Sequence, residues 1–259
     1  MLKHLGRIAA IGLAGAGFPL LAAGGGADLV PKPPAATTEV QRLAFAPGGA
    51  IRVENSYGYL TVEAWDEPAV ELTVTKTFGR FHDDGAPANA ESRMAAVRVT
   101  AESRSEREIV VTTATPVRRG AASSVVDLWG EISGRPSPRN SPMGVETDCV
   151  LRAPRDSRLT IRHDHGYVRV SGFSGAIDIQ SHTGDIMVML PEAGSYSIDA
   201  HTGLGSVTSD FAGRGIKQYV AGTKFVSPGA ASARSIRLRM GRGDITIVSE
   251  TPSGPAEAH

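Results

Sequence analysis

His165-Gly166-Tyr167-Val168-Arg169-Val170 is followed by Thr183-Gly184-Asp185-Ile186-Met187-Val188, the same phrase of a turn glycine and an alternating β-run. Tyr57-Gly58-Tyr59-Leu60-Thr61-Val62 precedes them. Thr202-Gly203-Leu204-Gly205-Ser206-Val207 follows as a variant, and Arg242-Gly243-Asp244-Ile245-Thr246-Ile247 restates the theme near the end. One turn-plus-strand unit cannot bury its apolar side alone, but stacked copies can, so such a repeat is how a chain writes a β-solenoid. Gly58, Gly166, Gly175, Gly184, Gly203 and Gly243 are read as the turn glycines, since tight corners need φ > 0. Gly166, Gly175 and Gly184 stand nine residues apart. Each half-coil is then one strand of three to five residues plus a turn, with coils of roughly 18 residues stacking at ~4.8 Å. Val168/Val170, Ile177/Ile179, Ile186/Val188 and Ile198/Ala200 repeat in step as the inward pairs.

The predicted fold is therefore all-β, a single-stranded β-helix or β-roll over 145–250 with Ile236, Leu238, Met240, Ile245 and Ile247 as its last turn. Upstream, over 40–115, period-two runs give N-terminal strands with Ile51, Val53, Leu60, Val62, Val70, Leu72 and Val74 as the apolar set. Ala88–Ala96 reads as a short helix. Val97–Ala101 and Glu108–Thr113 read as an inserted hairpin. The stretch 116–144, rich in Pro, Ser, Gly and Arg, reads as a long surface insertion. Residues 251–259 read as a frayed tail.

The first 27 residues have the order of a secretory signal: Lys3, His4 and Arg7, then the apolar run Ile8–Ala23, then small residues. The apolar run is shorter and richer in glycine than the ~20 residues of a stable span, so no membrane segment is expected after cleavage. Residues 28–39, with Lys32-Pro33-Pro34, read as a linker. The address implied is exported: periplasmic, cell-surface or secreted. Charged residues balance at 27 basic and 27 acidic, which argues against nucleic acid as a partner, because neutralising phosphates needs a basic surplus. Cys149 is the single cysteine, so an intrachain disulfide is excluded, and its strand parity reads as a small buried residue.

Two blocks of sequence resemble a known family. One is Phe45–Asn55 with the Gly58 phrase, Trp65 and Val70–Thr77. The other is Ala153–Ser157 before Leu159-Thr160-Ile161, together with Gly184-Asp185-Ile186 and Gly243-Asp244-Ile245. Together, over about 40–250, they look like the exported bacterial "putative adhesin" domain family of unknown function. The resemblance implies a β-helical repeat protein and supplies no catalytic residues.

Several constellations compete with that reading. His163, His165, His182 and His201 stand at or near turns, with Asp164 between the first two. Stacking that made His182 and His201 vertical neighbours would align a zinc or copper set. A turn position also suits any small polar residue that bonds its own backbone. Arg242-Gly243-Asp244 spells an attachment tripeptide but repeats the turn phrase. Asp66-Glu67 and Asp83-Asp84 sit in polar turns. Asp178, Asp199 and Arg169 are the residues that a β-helical carbohydrate-active enzyme would use on an exposed face. Tyr59, Trp65 and Tyr167 form the candidate ligand surface, since aromatic rings cover the apolar face of a sugar. No cofactor motif is present. The expected function is non-enzymatic: an adhesin-like envelope module presenting a regular β-face to a glycan or protein. A carbohydrate-active β-helix enzyme and an envelope metal-binding protein are the alternatives. Open strand edges also allow end-to-end self-association.

Overall fold

The computed structural model describes residues 35–78, 90–114, 144–191, 195–218, 222–230 and 233–250. The signal, most of the linker, the 116–143 insertion and the tail lie outside the described residues. The rest is nearly all β: one open 14-stranded sheet and one short helix.

The strands are longer than the repeat suggests, because the chain does not stop at its turn glycines. β2 (Ala50–Trp65), β7 (Arg158–Ser171) and β8 (Ile177–Pro191) each run through one. In β2 the buried residues are odd-numbered up to Tyr57 and even-numbered from Leu60 on. Side chains on a strand alternate faces, so this change of phase at Gly58 bends the strand and returns both halves to the same interior. Gly58, Gly166, Gly184, Gly205 and Gly243 carry φ between 108° and 142°. The sheet therefore has a first arm before the glycine and a second arm after it.

Pairing along the stack is parallel and in register. Gly58 lies opposite Gly166, and Gly166 opposite Gly184. β7 and β8 pair at an offset of 18 residues, with Leu159 opposite Ile177. Apolar columns follow from this register. Ile51, Leu159, Ile177, Ile236 and Ile198 form one on the first arm, and Leu60, Val168, Ile186 and Ile245 form another on the second. All belong to one core, and each buried side chain of this size contributes roughly 2 kcal/mol of transfer free energy. Phe173, on the short return from β7 to β8, is buried in the same core.

The order of the rungs departs from the order of the chain. After β8 come β9 (Tyr196–Leu204), β10 (Val207–Ser209), and the hairpin β11 (Arg214–Gln218) and β12 (Gly222–Ser227). The last pair, β13 (Arg234–Arg242) and β14 (Ile245–Glu250), then slots beside β8, with β13 between β8 and β9. Residues 236–247, expected as the terminal turn, are an inner rung.

Upstream, β5 (Glu108–Ala114) pairs with the first arm of β2, and β6 (Val145–Pro154) with the second. These two strands occupy the place of one bent strand. β5 ends and β6 begins at the corner, where the other rungs have glycine. β4 (Arg98–Ser105) pairs with β5 as the expected hairpin. β1 (Ala35–Ala44) and β3 (Ala69–Phe78) extend the second arm in antiparallel fashion. The helix α1 (Ala90–Ala96) packs Met94 with Phe78, Val97 and Val145.

Two glycines depart from the expected turns. Gly205, not Gly203, holds the corner of its rung, and Gly203 lies beside Gly241. Gly175 has no left-handed φ; it is required because a Cβ there would come within 2.0 Å of the Ser157 carbonyl.

Candidate functional site

The corner is a column of stacked backbone. A Cβ on Gly166 would reach within 2.0 Å of the Gly58 carbonyl, one on Gly184 within 1.7 Å of Gly166, and one on Gly243 within 1.5 Å of Gly184. Position and φ both demand glycine there. The residue after each corner glycine must point outward, and register lines these residues up as Tyr59, Tyr167, Asp185, Asp244 and Ser206.

Tyr59 and Tyr167 stack with centroids 5.3 Å apart and ring planes at 9°. Next to them the smaller aspartates leave a step. Asp185 Oδ1 accepts the Asp244 backbone N–H at 2.9 Å. Asp244 Oδ1 in turn accepts the Ser206 N–H at 2.7 Å and its hydroxyl at 2.9 Å. The Gly-Asp phrase is thus a corner clasp, in which each carboxylate ties down the amide of the next rung. That accounts for Asp244 within Arg242-Gly243-Asp244. The step opens a pocket of about 440 Å³ lined by Tyr59, Tyr167, Arg169, Asp185, Met187 and Asp244, among others. It combines aromatic and thioether surface with two carboxylates and a guanidinium, the mixture that fixes a polyhydroxylated ligand.

Trp65 does not join this pocket. It lies six residues beyond Tyr59 on the same strand, about 20 Å away at ~3.3 Å per residue. Its Nε1–H donates to the Ala69 carbonyl at 2.9 Å, and Arg42 stands over its ring.

The histidines are not gathered. Strand alternation points His163 inward, where it is 2% exposed, while His182 faces out. Asp164, the carboxylate of that expected set, shares the outward row of His182. His182 and His201 are neither adjacent nor in register: β13 lies between their strands, with Arg239 opposite His201. Gly241 and Gly203, which continue the row of His182, offer no ligand. His165 and His182 approach each other, edge to face at 5.9 Å. Among the described residues no three potential metal ligands cluster.

His163 belongs instead to a buried column, Asn55–His163–Ser181–Met240–Thr202, polar but for Met240, running beside the corner. Thr113 donates to Asn55 Oδ1 at 2.7 Å. The His163 ring nitrogens lie near the backbone of Asn55, Gly58 and His165 but make no hydrogen bond of full geometry. Burial holds the imidazole neutral, lowering its pKa to about 4. Cys149 is buried too, and desolvation pushes its thiol up to about 12, the opposite of an activated nucleophile.

Asp178, Asp199 and Arg169 do not share a groove. The two aspartates face out from the first arm with Arg237 between them, and Arg169 is on the second arm. A side-chain hydrogen bond from Arg239, at 2.7 Å, holds the Asp199 carboxyl below its usual range. An acid catalyst needs the reverse shift. Asp66 is likewise held low, by Arg155. Asp83-Asp84 lies outside the described residues.

The tyrosine pair was legible as two residues at the same offset after a glycine. The aspartates that complete the pocket obey the same rule but read as turn residues.

No family model matches the chain, and no curated protein matches it, so the family resemblance rests on the sequence phrases alone. Among solved structures, the chain is similar to a putative cell adhesion protein from Clostridium sporogenes. The two are 12% identical with a TM-score of 0.45, over 83% of this chain and 100% of that one.

Proposed function

We propose that this chain is an exported, non-enzymatic interaction module of the cell envelope, adhesin-like, which holds a glycan chain against the second arm of its bent sheet. The observation that carries the reading is the Tyr59/Tyr167 stack beside the Asp185/Asp244 step. Aromatic surface takes the apolar face of a pyranose, and the carboxylate oxygens left over from the corner clasp accept its hydroxyls. The 18-residue register and the glycine corner support a β-solenoid architecture, in which one face repeats at ~4.8 Å and suits a repeating polymer. Export is supported by the N-terminal sequence. Among the described residues no helix is long and apolar enough to cross a membrane.

Co-sedimentation with peptidoglycan, outer-membrane and exopolysaccharide fractions tests this. Saturable binding to a glycan fraction, insensitive to chelator, is expected. Tyr167→Ala should weaken it about fivefold or more, an aromatic contact being worth about 1 kcal/mol or more, and Trp65→Ala should leave it unchanged. Equal losses from both variants, or binding abolished by chelator, would overturn the reading.

A further inference from the structure

We propose that β1 is a self-pairing edge, through which two copies of this chain join antiparallel about a two-fold axis at Val40.

Among the described residues the bent sheet ends in four edges. Three are blunted in ways that disfavour strand addition. β10 is three residues long, and β11 is five residues long and bears Arg214 and Lys217. β4 bears Arg98, Glu102 and Arg104 and breaks register between Ser103 and Ser105. β1 differs. It pairs with β3 over all of Ala35–Ala44 without a bulge, and among the described residues no strand pairs with its other side. Its outward side chains are exposed. Val40, at 61%, exceeds the other exposed large apolar residues of the described chain.

The sequence of β1 selects the occupant and the register. Odd-numbered residues lie on the inner face, where Gln41 bonds the Val99 carbonyl and the Ala101 N–H of β4, and Glu39, itself half exposed, pairs with the buried Lys76 at 2.8 Å. Even-numbered residues face outward. A two-fold axis normal to the sheet keeps outward residues opposite outward residues, so it must pass through a single residue. Centred on Glu39, it would set two carboxylates against each other. Centred on Gln41, it would set Val40 against a guanidinium. Centred on Val40, it sets Val40 against its own copy, Arg42 against Thr38 and Glu39 against Gln41, without a like-charge pair. Such an isologous contact uses up the edge and closes as a dimer rather than a filament. The second arms then continue as one sheet with two tyrosine pockets on one surface, a bivalent arrangement. The inference does not depend on the glycan reading.

Sedimentation of the full chain over a hundredfold range around ~10 µM, the regime of small interfaces, should show a reversible dimer. Val40→Lys should weaken it at least tenfold with an unchanged circular dichroism spectrum. Val40→Cys should cross-link on mild oxidation, because directly opposed Cβ atoms lie ~5 Å apart, near disulfide range. Thr38→Cys should not, since its two copies would be about 13 Å apart. A monomer throughout the range, or equal cross-linking of both cysteine variants, would overturn the proposal. An excess of unrelated extended peptide that competes as well as the chain itself would do the same.

Discussion

On the outer face of the first arm, Arg52, Arg162, Arg237 and Arg239 alternate with Glu54, Asp178 and Asp199; on the second arm the same rungs show Tyr59, Thr61, Tyr167, Arg169, Met187 and Thr246, with one charge among them. The rungs are continuous, and the core behind both is the same set of Ile, Val and Leu. What differs is how the surface groups are satisfied. On the first arm, Arg239 and Lys224 hold Asp199, and Arg237 faces Asp178. Exposed pairs of this kind are worth at most about 1 kcal/mol and keep a face solvated. The second arm pairs Arg152 with Glu63 and Glu71 towards its far end, but near the corner it leaves apolar surface uncovered, with Tyr59 at 44% and Met187 at 40% exposure. Parallel sheets covered on one side only need a reason for the bare side. One fold thus carries a solvated face and a contact face, divided by a line of glycines.

The harshest way to break the comparison is to break that line. Gly184→Ala adds a Cβ that meets the Gly166 carbonyl at a φ of +126°, and both arms should lose register together. A loss above about 4 kcal/mol, or failure to fold, is expected. Gly215→Ala, which meets nothing within 4 Å, should stay within about 0.5 kcal/mol. Chemical denaturation of the two variants decides it.

A second test asks whether the corner shields one interior. His163 titrates at about 4 when folded, below its ordinary 6.5. Between those values the unfolded chain binds a proton that the folded chain refuses. Stability is therefore full above pH 6.5 and falls as pH drops towards 4, by roughly 3 kcal/mol at most. His163→Gln should flatten this slope between pH 7 and 4.5 in thermal melts. An unchanged slope would show that the imidazole is hydrated.

The smallest effects separate clasp from face. Asp244→Ala removes the acceptor for the Ser206 amide and hydroxyl and should cost about 1 kcal/mol. Asp199→Ala breaks exposed pairs on the first arm and should cost less than that. It should also leave glycan binding unchanged. A first-arm variant that abolished binding would reverse the assignment of the two faces.

Much of the strand content was legible because burial and period are local. Ile51, Val53, Leu60 and Val62 lie inward as alternation requires, and the helix and the second hairpin strand fall within two residues of their predicted limits, while the first hairpin strand runs four residues further, to Ser105. The strand breaks expected at the glycines were wrong in kind, since a glycine at φ > 0 bends a strand without ending its ladder. The choice of Gly203 over Gly205 had a similar cause: both suit a turn, and only pairing with β14 tells them apart. The histidine set failed because it assumed that strands near in sequence are neighbours in space.

The sequence by itself determined the period, the inward residues, the need for glycine at the corners and the tyrosines that follow two of them. These depend on a residue's own backbone and on its nearest neighbours along the chain. Tertiary structure alone decided that β13 separates β8 from β9, that Asp185 and Asp244 complete a tyrosine pocket, and that Trp65 and the histidines stand apart. Those are facts of inter-strand order and register. Strand-to-strand hydrogen bonding is indifferent to which distant segment supplies the partner, so the choice falls to the packing of the whole core.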